Sequence, residues 1–296
     1  ERYDYGDNLL DLLQHHKDKL SGIANGIDYT YHDGEQPKGW DPEKDTCIAR
    51  NYTVADLDGR MGRIPNKNEC KKALQKEIGL REDENIPLIA MLGRLELQKG
   101  IVLLLRDLNK EESRLRGLGV QFLICGRPGE REEEKLVGRK LAECAERFHD
   151  WLKVDMTFVP EKLVHQLFAG CDMILMPSEY EPCGMPQMQG HRYGAIPIVR
   201  KTGGLADTVA DGVDGFVFES SPWGTDEEKR QRASDSMLNA ITRAVNTYRD
   251  DREGWGKLIR NAMGRDHTWE ASAREYIGLY KQAQRSTKAR VPYAIQ

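Results

Sequence analysis

A chain of 296 residues can bury a large hydrophobic core, and its 39% of hydrophobic residues indicates a folded protein rather than a disordered one. The 44 basic side chains nearly balance the 48 acidic ones, and the net charge of −4 argues against a surface for nucleic acids or anionic membranes. The six cysteines form no C-x-x-C pair, and no apolar run approaches the ~18 residues of a membrane span, so we expect a soluble protein with reduced thiols.

The first part of the chain shows little periodicity. Residues 29 to 69 are rich in turn-forming residues and poor in periodic apolar ones, which predicts an extended surface excursion. A helix is predicted to follow it, over residues 67 to 78.

Short apolar runs then alternate with longer stretches of helical period. The runs predict strands at 87–93, 120–126, 154–159, 172–177, 195–199 and 215–218. Helices are predicted over 132–148, over 226–250 after a capping box at Thr225, and from Trp269 to Tyr280. This alternation predicts an α/β fold, a Rossmann-like parallel sheet flanked by helices, in which ligands collect at the carboxyl ends of the strands.

A pair of cations follows the strand at 87–93. The sequence GRLELQKG places Arg94 and Lys99 between that strand and the apolar helix IVLLLRDL. Two cations on such a loop could clamp a diphosphate that also meets the positive end of a helix. A solvated basic loop is the alternative interpretation.

An acid follows the strand at 172–177. Glu181 lies in the turn YEPCG, before a helix that contains Met188 and Tyr193. Its carboxylate could accept hydrogen bonds from sugar hydroxyls or stabilise an oxocarbenium charge, or it could be an acid favoured by a helix dipole. Cys183 could equally be a small buried residue. A role as a nucleophile has no support, because no histidine is spaced to act as its partner. The histidines show no metal-ligand spacing either, so no metal is expected.

Two further features allow a binding or a structural interpretation. The turn KTGGL, with Lys201, Thr202, Gly203 and Gly204, could wrap a ligand with its amides or simply start the helix LADTVAD. Phe158, near the end of the predicted strand at 154–159, could stack on a nucleobase or belong to the core.

Taken together, these motifs resemble those of one family. GRLELQKG, PSEYEPCG, RYGAIPIVRKTGGLADTV and SGIANGIDY occur in the order, and at about the spacing, found in bacterial glycogen synthases and plant or algal starch synthases. The similarity covers nearly the whole chain. EPCG followed by RYG and TGGL is a specific signature, whereas the wider retaining transferases of this architecture more often carry a Glu-Ala-Phe-Gly type of turn.

The resemblance implies a two-lobed glycosyltransferase of the GT-B type. Such enzymes transfer glucose, usually from ADP-glucose, to the non-reducing end of an α-1,4-glucan with retention of configuration and without a metal or other cofactor. Arg94 and Lys99 would neutralise the donor pyrophosphate, and Glu181, the candidate catalytic residue, would meet the donor glucose hydroxyls. The substrate-binding set that the resemblance and the turns imply is completed by Gly126, Phe158, Cys183, Gly184, Met185, Pro186, Lys201, Thr202, Gly203 and Gly204.

The sequence also departs from the pattern of its relatives. Gln189 stands where many transferases of the wider superfamily have a second glutamate, as is usual in the synthases. Pro186 and Glu179 stand where the family more often has other residues. Bacterial relatives place a tyrosine on adenine, and in this chain Phe158 or Val159 stands at that position. The choice between ADP-glucose and UDP-glucose therefore stays open.

The family's amino-terminal lobe, which carries a Lys-x-Gly-Gly-Leu loop and most of the acceptor site, has no counterpart in this sequence. We therefore predict an interdomain crossing segment at residues 1–20, a Rossmann-like nucleotide-sugar-binding domain at 21–265 and a C-terminal helix at 266–296 that packs on the absent lobe. The expected partners are ADP or ADP-glucose and, through that lobe, an α-1,4-glucan. A stand-alone nucleotide-sugar-binding module without transferase activity is the alternative. The location would be the plastid in a plant or alga and the cytoplasm in a bacterium.

Overall fold

A computed structural model describes residues 9–30, 39–219 and 225–289. The chain divides into two compact units, one formed by residues 27–267 and the other by residues 1–26 together with 268–296. All the predicted site residues lie in the larger unit.

The larger unit is built on one parallel sheet, whose six strands run in the order β3-β2-β1-β4-β5-β6. The strands are β1 Leu88–Leu92, β2 Gln121–Cys125, β3 Leu152–Asp155, β4 Met173–Met176, β5 Ile196–Arg200 and β6 Phe216–Phe218. Strand β1 pairs with β2 on one side and with β4 on the other, so the strand order reverses between β1 and β4. Open α/β sheets bind ligands in the crevice at the carboxyl ends of such a strand pair.

Helices cover both faces of the sheet, which confirms the predicted α/β fold. In chain order the helices of the larger unit are α2 Pro65–Glu77, α3 Ile101–Leu108, α4 Arg114–Gly117, α5 Glu132–Arg147, α6 Glu161–Gly170, α7 Pro186–Tyr193, α8 Gly203–Thr208, α9 Asp226–Asp250 and α10 Arg252–Met263. The smaller unit contains α1 Leu10–His15 and α11 Trp269–Ala289. The predicted capping box starts α9, where the Thr225 side chain accepts from the Glu228 amide and Glu228 accepts from Thr225.

The core follows from strands that are apolar on both faces. Every residue of β2 and of β4 is buried, as expected of parallel strands covered by helices. A lysine and an aspartate pair in this core: Lys71 Nζ on α2 is 2.6 Å from the Asp172 carboxylate, which also accepts from the Leu88 amide. This pair joins a covering helix to the beginning of two strands.

The predicted bounds of the third strand are wrong. Strand β3 is Leu152–Asp155 and ends where the prediction places its first residues. The Asp155 carboxylate accepts from the Thr157 amide at 2.8 Å and from its hydroxyl at 2.6 Å. This local turn competes with the sheet for the backbone and ends the strand. Phe158 therefore lies in a loop and is 68% exposed, so the interpretation as a core aromatic is also wrong.

The predicted surface excursion at 29–69 is wrong where buried residues anchor the segment, although many of its described residues are exposed and residues 31–38 lie outside the described residues. Tyr52 is buried and its hydroxyl donates to the Tyr193 carbonyl at 2.9 Å. Asp45 is buried as well, and its carboxylate accepts from the Tyr193 hydroxyl at 2.6 Å and lies 2.8 Å from His165 Nδ1. Burial acts to raise the pKa of Asp45, but the hydrogen bonds from His165, Tyr193 and the Cys47 amide together outweigh it and lower the pKa below its usual value. This segment is anchored by a few polar side chains, which apolar periodicity does not reveal.

The smaller unit joins the two ends of the described chain. The Ser272 hydroxyl on α11 donates to the Ala24 carbonyl at 2.8 Å. Further along α11, Tyr276, Ile277 and Tyr280 expose large apolar side chains. None of the helices in the described ranges is long and apolar enough to span a membrane. The predicted roles of residues 1–20 and 266–296, as a crossing segment and as a helix that packs on another lobe, stay predictions.

Candidate functional site

Two of the predicted loops lie side by side at the carboxyl edge of the sheet. One follows β1 and carries Arg94 and Lys99, and the other follows β4 and carries Glu181. The Glu179 amide donates to the Gln98 carbonyl at 2.7 Å, and the Gln98 side chain donates to the Tyr180 carbonyl at 2.9 Å. These bonds join the loops at the point where the strand order reverses.

The central contact of the site is an ion pair. Lys99 Nζ lies 2.6 Å from Glu181 Oε2, although the two residues are 82 positions apart in the sequence. The Ser178 hydroxyl is 3.4 Å from the same carboxylate oxygen. Glu181 is 7% exposed, and so buried a carboxylate needs a partner of opposite charge. The structure thus brings together the cation and the acid that the two sequence motifs predict.

A glycine allows the two loops to approach. Gly100, at the start of α3, has a φ of 73°, and a Cβ atom at this position would clash with the Pro177 carbonyl oxygen. A residue with a side chain would both strain the backbone and push the loop away from β4. Gly100 therefore sets the position of Lys99 next to Glu181.

Arg94 lies on the solvent side of the same loop. Its side chain is 73% exposed, and Nη1 lies 2.6 Å from Glu96 Oε1. Between them Leu95 is fully buried, and its amide donates to the Arg127 carbonyl at 2.8 Å. The backbone is thus held in an extended form that places Arg94 and Glu96 on one face.

The second glycine-rich turn packs on the Glu181 loop. The Gly204 amide donates to the Glu181 carbonyl at 2.9 Å, and the Thr202 hydroxyl lies 3.4 Å from the Glu179 carbonyl. Gly203 has a φ of 41°, and a Cβ atom there would clash with the Glu181 carbonyl oxygen. Lys201 extends elsewhere: its ammonium group pairs with Glu219, after β6, at 2.6 Å.

The turn from Cys183 to Pro186 leads into α7, with Pro186 as the first helical residue. Cys183 and Gly184 are partly exposed and Met185 is half exposed, so a ligand can reach the backbone at this turn. Gly184 has a φ of 73°, which favours glycine.

Gln187 was not predicted as a site residue, yet its amide joins both turns. The side chain is fully buried, and Nε2 lies 2.9 Å from the Cys183 carbonyl, 3.0 Å from the Gly184 carbonyl and 3.1 Å from the Thr208 hydroxyl. The Thr208 hydroxyl in turn donates to the Gly204 carbonyl at 2.6 Å. Two carbonyls accept only, so the nitrogen of the amide must face them. A polar residue on the buried side of α7 was the signal that could have identified Gln187.

Gly126 and Phe158 lie further along the same edge. The Gly126 amide donates to the Asp155 carbonyl at 2.9 Å, which places Gly126 at the ends of β2 and β3. The exposed Phe158 ring follows β3, and the Arg127 guanidinium lies 5.6 Å from its centroid. A flat aromatic ligand could therefore stack at this place, two strands away from β1.

No cluster of three or more metal-ligating side chains occurs among the residues that the structure describes. Two histidines do pair, away from the loops described above: His191 Nδ1 lies 2.9 Å from His267 Nε2. Burial lowers the pKa of His191 to about 3 and that of His267 to about 4, so both rings are neutral near pH 7.

Comparisons with known proteins agree with the fold and the motifs. The family model described as "Glycosyl transferases group 1" matches residues 71–233. A glycogen synthase from Anaeromyxobacter sp. (strain Fw109-5) is 39% identical over 276 residues, which are 93% of this chain and 51% of that protein. The chloroplastic/amyloplastic starch synthase 1 of Triticum aestivum is 35% identical over 288 residues, with 94% of this chain and 39% of that protein covered.

A solved structure gives the same result. The catalytic domain of starch synthase IV from Arabidopsis thaliana, bound to ADP and acarbose, is 31% identical with a TM-score of 0.74, and the match covers 95% of this chain and 52% of that one. The resemblance to glycogen and starch synthases is therefore confirmed. The chain spans about half the length, or less, of the curated relatives that it matches.

Proposed function

This chain belongs to the glycosyl transferases group 1 family, and we propose on that premise that it forms the donor-binding part of a retaining glucosyltransferase of the glycogen or starch synthase type. The proposed reaction transfers glucose from ADP-glucose to the non-reducing end of an α-1,4-glucan. The similarity to a starch synthase domain described as bound to ADP supports this donor.

The observation that carries the proposal is the contact between Lys99 and Glu181 at the reversal of the strand order. In the proposed complex the Lys99 ammonium group binds the donor diphosphate, and Glu181 accepts hydrogen bonds from the glucose hydroxyls. An ammonium group has three donors, so Lys99 can contact a phosphate oxygen and the Glu181 carboxylate at once. The exposed Arg94 guanidinium, on the same loop, supplies a second cation for the diphosphate.

The chemistry follows from these charges. As the bond between the anomeric carbon and the diphosphate oxygen breaks, positive charge develops on the sugar and negative charge on the leaving group. Arg94 and Lys99 stabilise the leaving diphosphate more strongly in the transition state than in the bound donor. The acceptor hydroxyl attacks from the face that the diphosphate leaves, and its proton passes to a departing phosphate oxygen. Configuration is retained without a protein nucleophile.

The remaining contacts are proposed from their positions. The backbone from Cys183 to Pro186 lines the sugar and the distal phosphate, and the turn from Lys201 to Gly204 packs beside Glu181 and closes the pocket. Gly126 lies near the nucleotide, and the exposed ring of Phe158 stacks on its base. Tyr276, Ile277 and Tyr280 on α11 are proposed to contact a second lobe that holds the acceptor site. The proposed location is the plastid in a plant or alga and the cytoplasm in a bacterium.

Calorimetric titration of the chain with ADP, UDP and their glucose conjugates tests the proposal. We expect binding of ADP and ADP-glucose, and no glucose transfer by this chain alone because the acceptor site is proposed to lie outside it. Arg94→Ala should weaken ADP binding by roughly 1 to 3 kcal/mol if its guanidinium binds a phosphate. Absence of binding to a folded sample by any of the four ligands would overturn the donor-site assignment.

A further inference from the structure

Both cations of the loop after β1 are already paired with a carboxylate of the chain. The partner of Lys99 is Glu181, which is a predicted site residue. The partner of Arg94 is Glu96, at 2.6 Å, and nothing in the proposed reaction assigns a role to this acid. The Glu96 side chain is only 22% exposed, whereas that of Arg94 is 73% exposed. Glu96 is thus the more fixed member of the pair.

The backbone imposes this pairing. Leu95 is buried between the two residues and is held by the hydrogen bond of its amide to the Arg127 carbonyl. Glu96 has extended backbone angles, with φ −90° and ψ 155°, and its carbonyl accepts from the Lys99 amide. Alternate side chains of an extended segment point to the same face. Glu96 therefore holds its carboxylate beside Arg94.

We propose that Glu96 competes with the ligand diphosphate for Arg94 and so limits the affinity of the site. The inference rests on the proposed function, because it requires a diphosphate at Arg94. A phosphate that binds the guanidinium must either displace Glu96 from it or share it with Glu96. In both cases the negative charge of the nearby carboxylate repels the phosphate. Because a nucleoside diphosphate is also the product, this competition favours product release, a step that limits turnover in many enzymes.

The proposal predicts that removing an acid improves binding, an effect that a misfolded variant cannot produce. Ion pairs with a solvent-exposed partner such as Arg94 contribute little, so Glu96→Gln should bind ADP roughly 1.5- to 5-fold more tightly than the original chain. Glu96→Ala should change the affinity in the same direction. The gain should increase from adenosine to AMP to ADP, and it should diminish at high salt because salt screens exposed charges.

Glu112→Gln is the matched control. It removes the same charge from the exposed loop after α3, at the opposite edge of the sheet, and should leave ADP affinity unchanged. In an Arg94→Ala background, Glu96→Gln should give little or no gain. The proposal would be overturned if Glu96→Gln improved ADP affinity equally in the Arg94→Ala background, if Glu112→Gln improved it equally, or if Glu96→Gln improved the affinity for adenosine as much as that for ADP.

Different results would overturn the proposed function and the role of Glu96. If the original chain does not bind ADP, the proposed function is wrong. If the original chain binds ADP, but Glu96→Gln and Glu96→Ala bind it with equal or lower affinity, the proposed function stands and the role of Glu96 is wrong.

Discussion

Replacing Lys99 with methionine removes the ammonium group but keeps an unbranched side chain, so it tests whether this group binds a diphosphate. The same group pairs at 2.6 Å with Glu181, whose side chain is 9% exposed. The substitution should therefore have two separate consequences, one for ligand binding and one for stability.

The expected size of each effect follows from the environment of the pair. A lost hydrogen bond to a charged group costs about 1.5 to 3 kcal/mol, so the Kd for ADP should rise by roughly 10- to 150-fold. The unfolding free energy should fall as well, because Glu181 loses its ion-pair partner. The Lys99 side chain is 25% exposed and water can solvate the site in part, so we expect a loss of roughly 1 to 2 kcal/mol rather than the 3 to 5 kcal/mol of a fully buried pair.

The two effects are separated by measuring ADP affinity by calorimetry and stability by denaturant unfolding on four proteins: the original chain, Lys99→Met, Glu181→Gln and the double variant. The double variant should regain stability, because a neutral amide needs no cation, while its ADP affinity stays low. Lys110→Met, in the exposed loop after α3, is the control for loss of a positive charge. Unchanged ADP affinity in Lys99→Met would refute the diphosphate assignment, and full recovery of affinity in the double variant would show that Lys99 acts only through Glu181.

Three further substitutions or conditions test other parts of the site and the fold. Gln187→Leu leaves the buried carbonyls of the Cys183 turn without their donor, so ADP binding should weaken by roughly 1 to 3 kcal/mol in a titration. Thr208→Ser keeps the hydroxyl and should bind ADP normally. Equal ADP affinity of the two variants would contradict the role of the Gln187 amide. Phe158→Ala should weaken ADP binding by about 0.5 to 1.5 kcal/mol without changing the affinity for pyrophosphate, and an equal loss for both ligands would rule out stacking on the base. The pKa values of His191 and His267 are lowered to about 3 and about 4, so as the pH falls these histidines take up protons in the unfolded chain before they do so in the folded protein. The two neutral rings therefore contribute to stability above pH 6.5, and the unfolding free energy should fall by roughly 2 to 4 kcal/mol between pH 6.5 and 5. His191→Asn should flatten this dependence, and an unchanged pH profile would show that the pair does not cause it.

Local sequence patterns predicted most of the elements of the larger unit. Apolar runs identified all six strands, because strands buried on both faces of a parallel sheet contain few polar residues. The bounds of β3 were wrong because a single side chain, Asp155, ends the strand by bonding to the backbone two residues later. Apolar patterning carries no information about such a turn.

The candidate site depended on information beyond local pattern. The contact between Lys99 and Glu181 joins residues 82 positions apart, and neither motif predicts it. The roles of Glu96 and Gln187 were not predicted at all. Glu96 lies beside Arg94 because the backbone around the buried Leu95 is extended, and Gln187 contacts the Thr208 hydroxyl and two backbone carbonyls that the fold places around it.

A crystal structure of the chain with ADP-glucose would show whether the loops after β1 and β4 bind the donor. We expect the diphosphate between Arg94 and Lys99, the glucose hydroxyls within hydrogen-bonding distance of Glu181, and the base against the ring of Phe158. A nucleotide sugar bound elsewhere, or bound with its diphosphate away from both cations, would contradict this expectation.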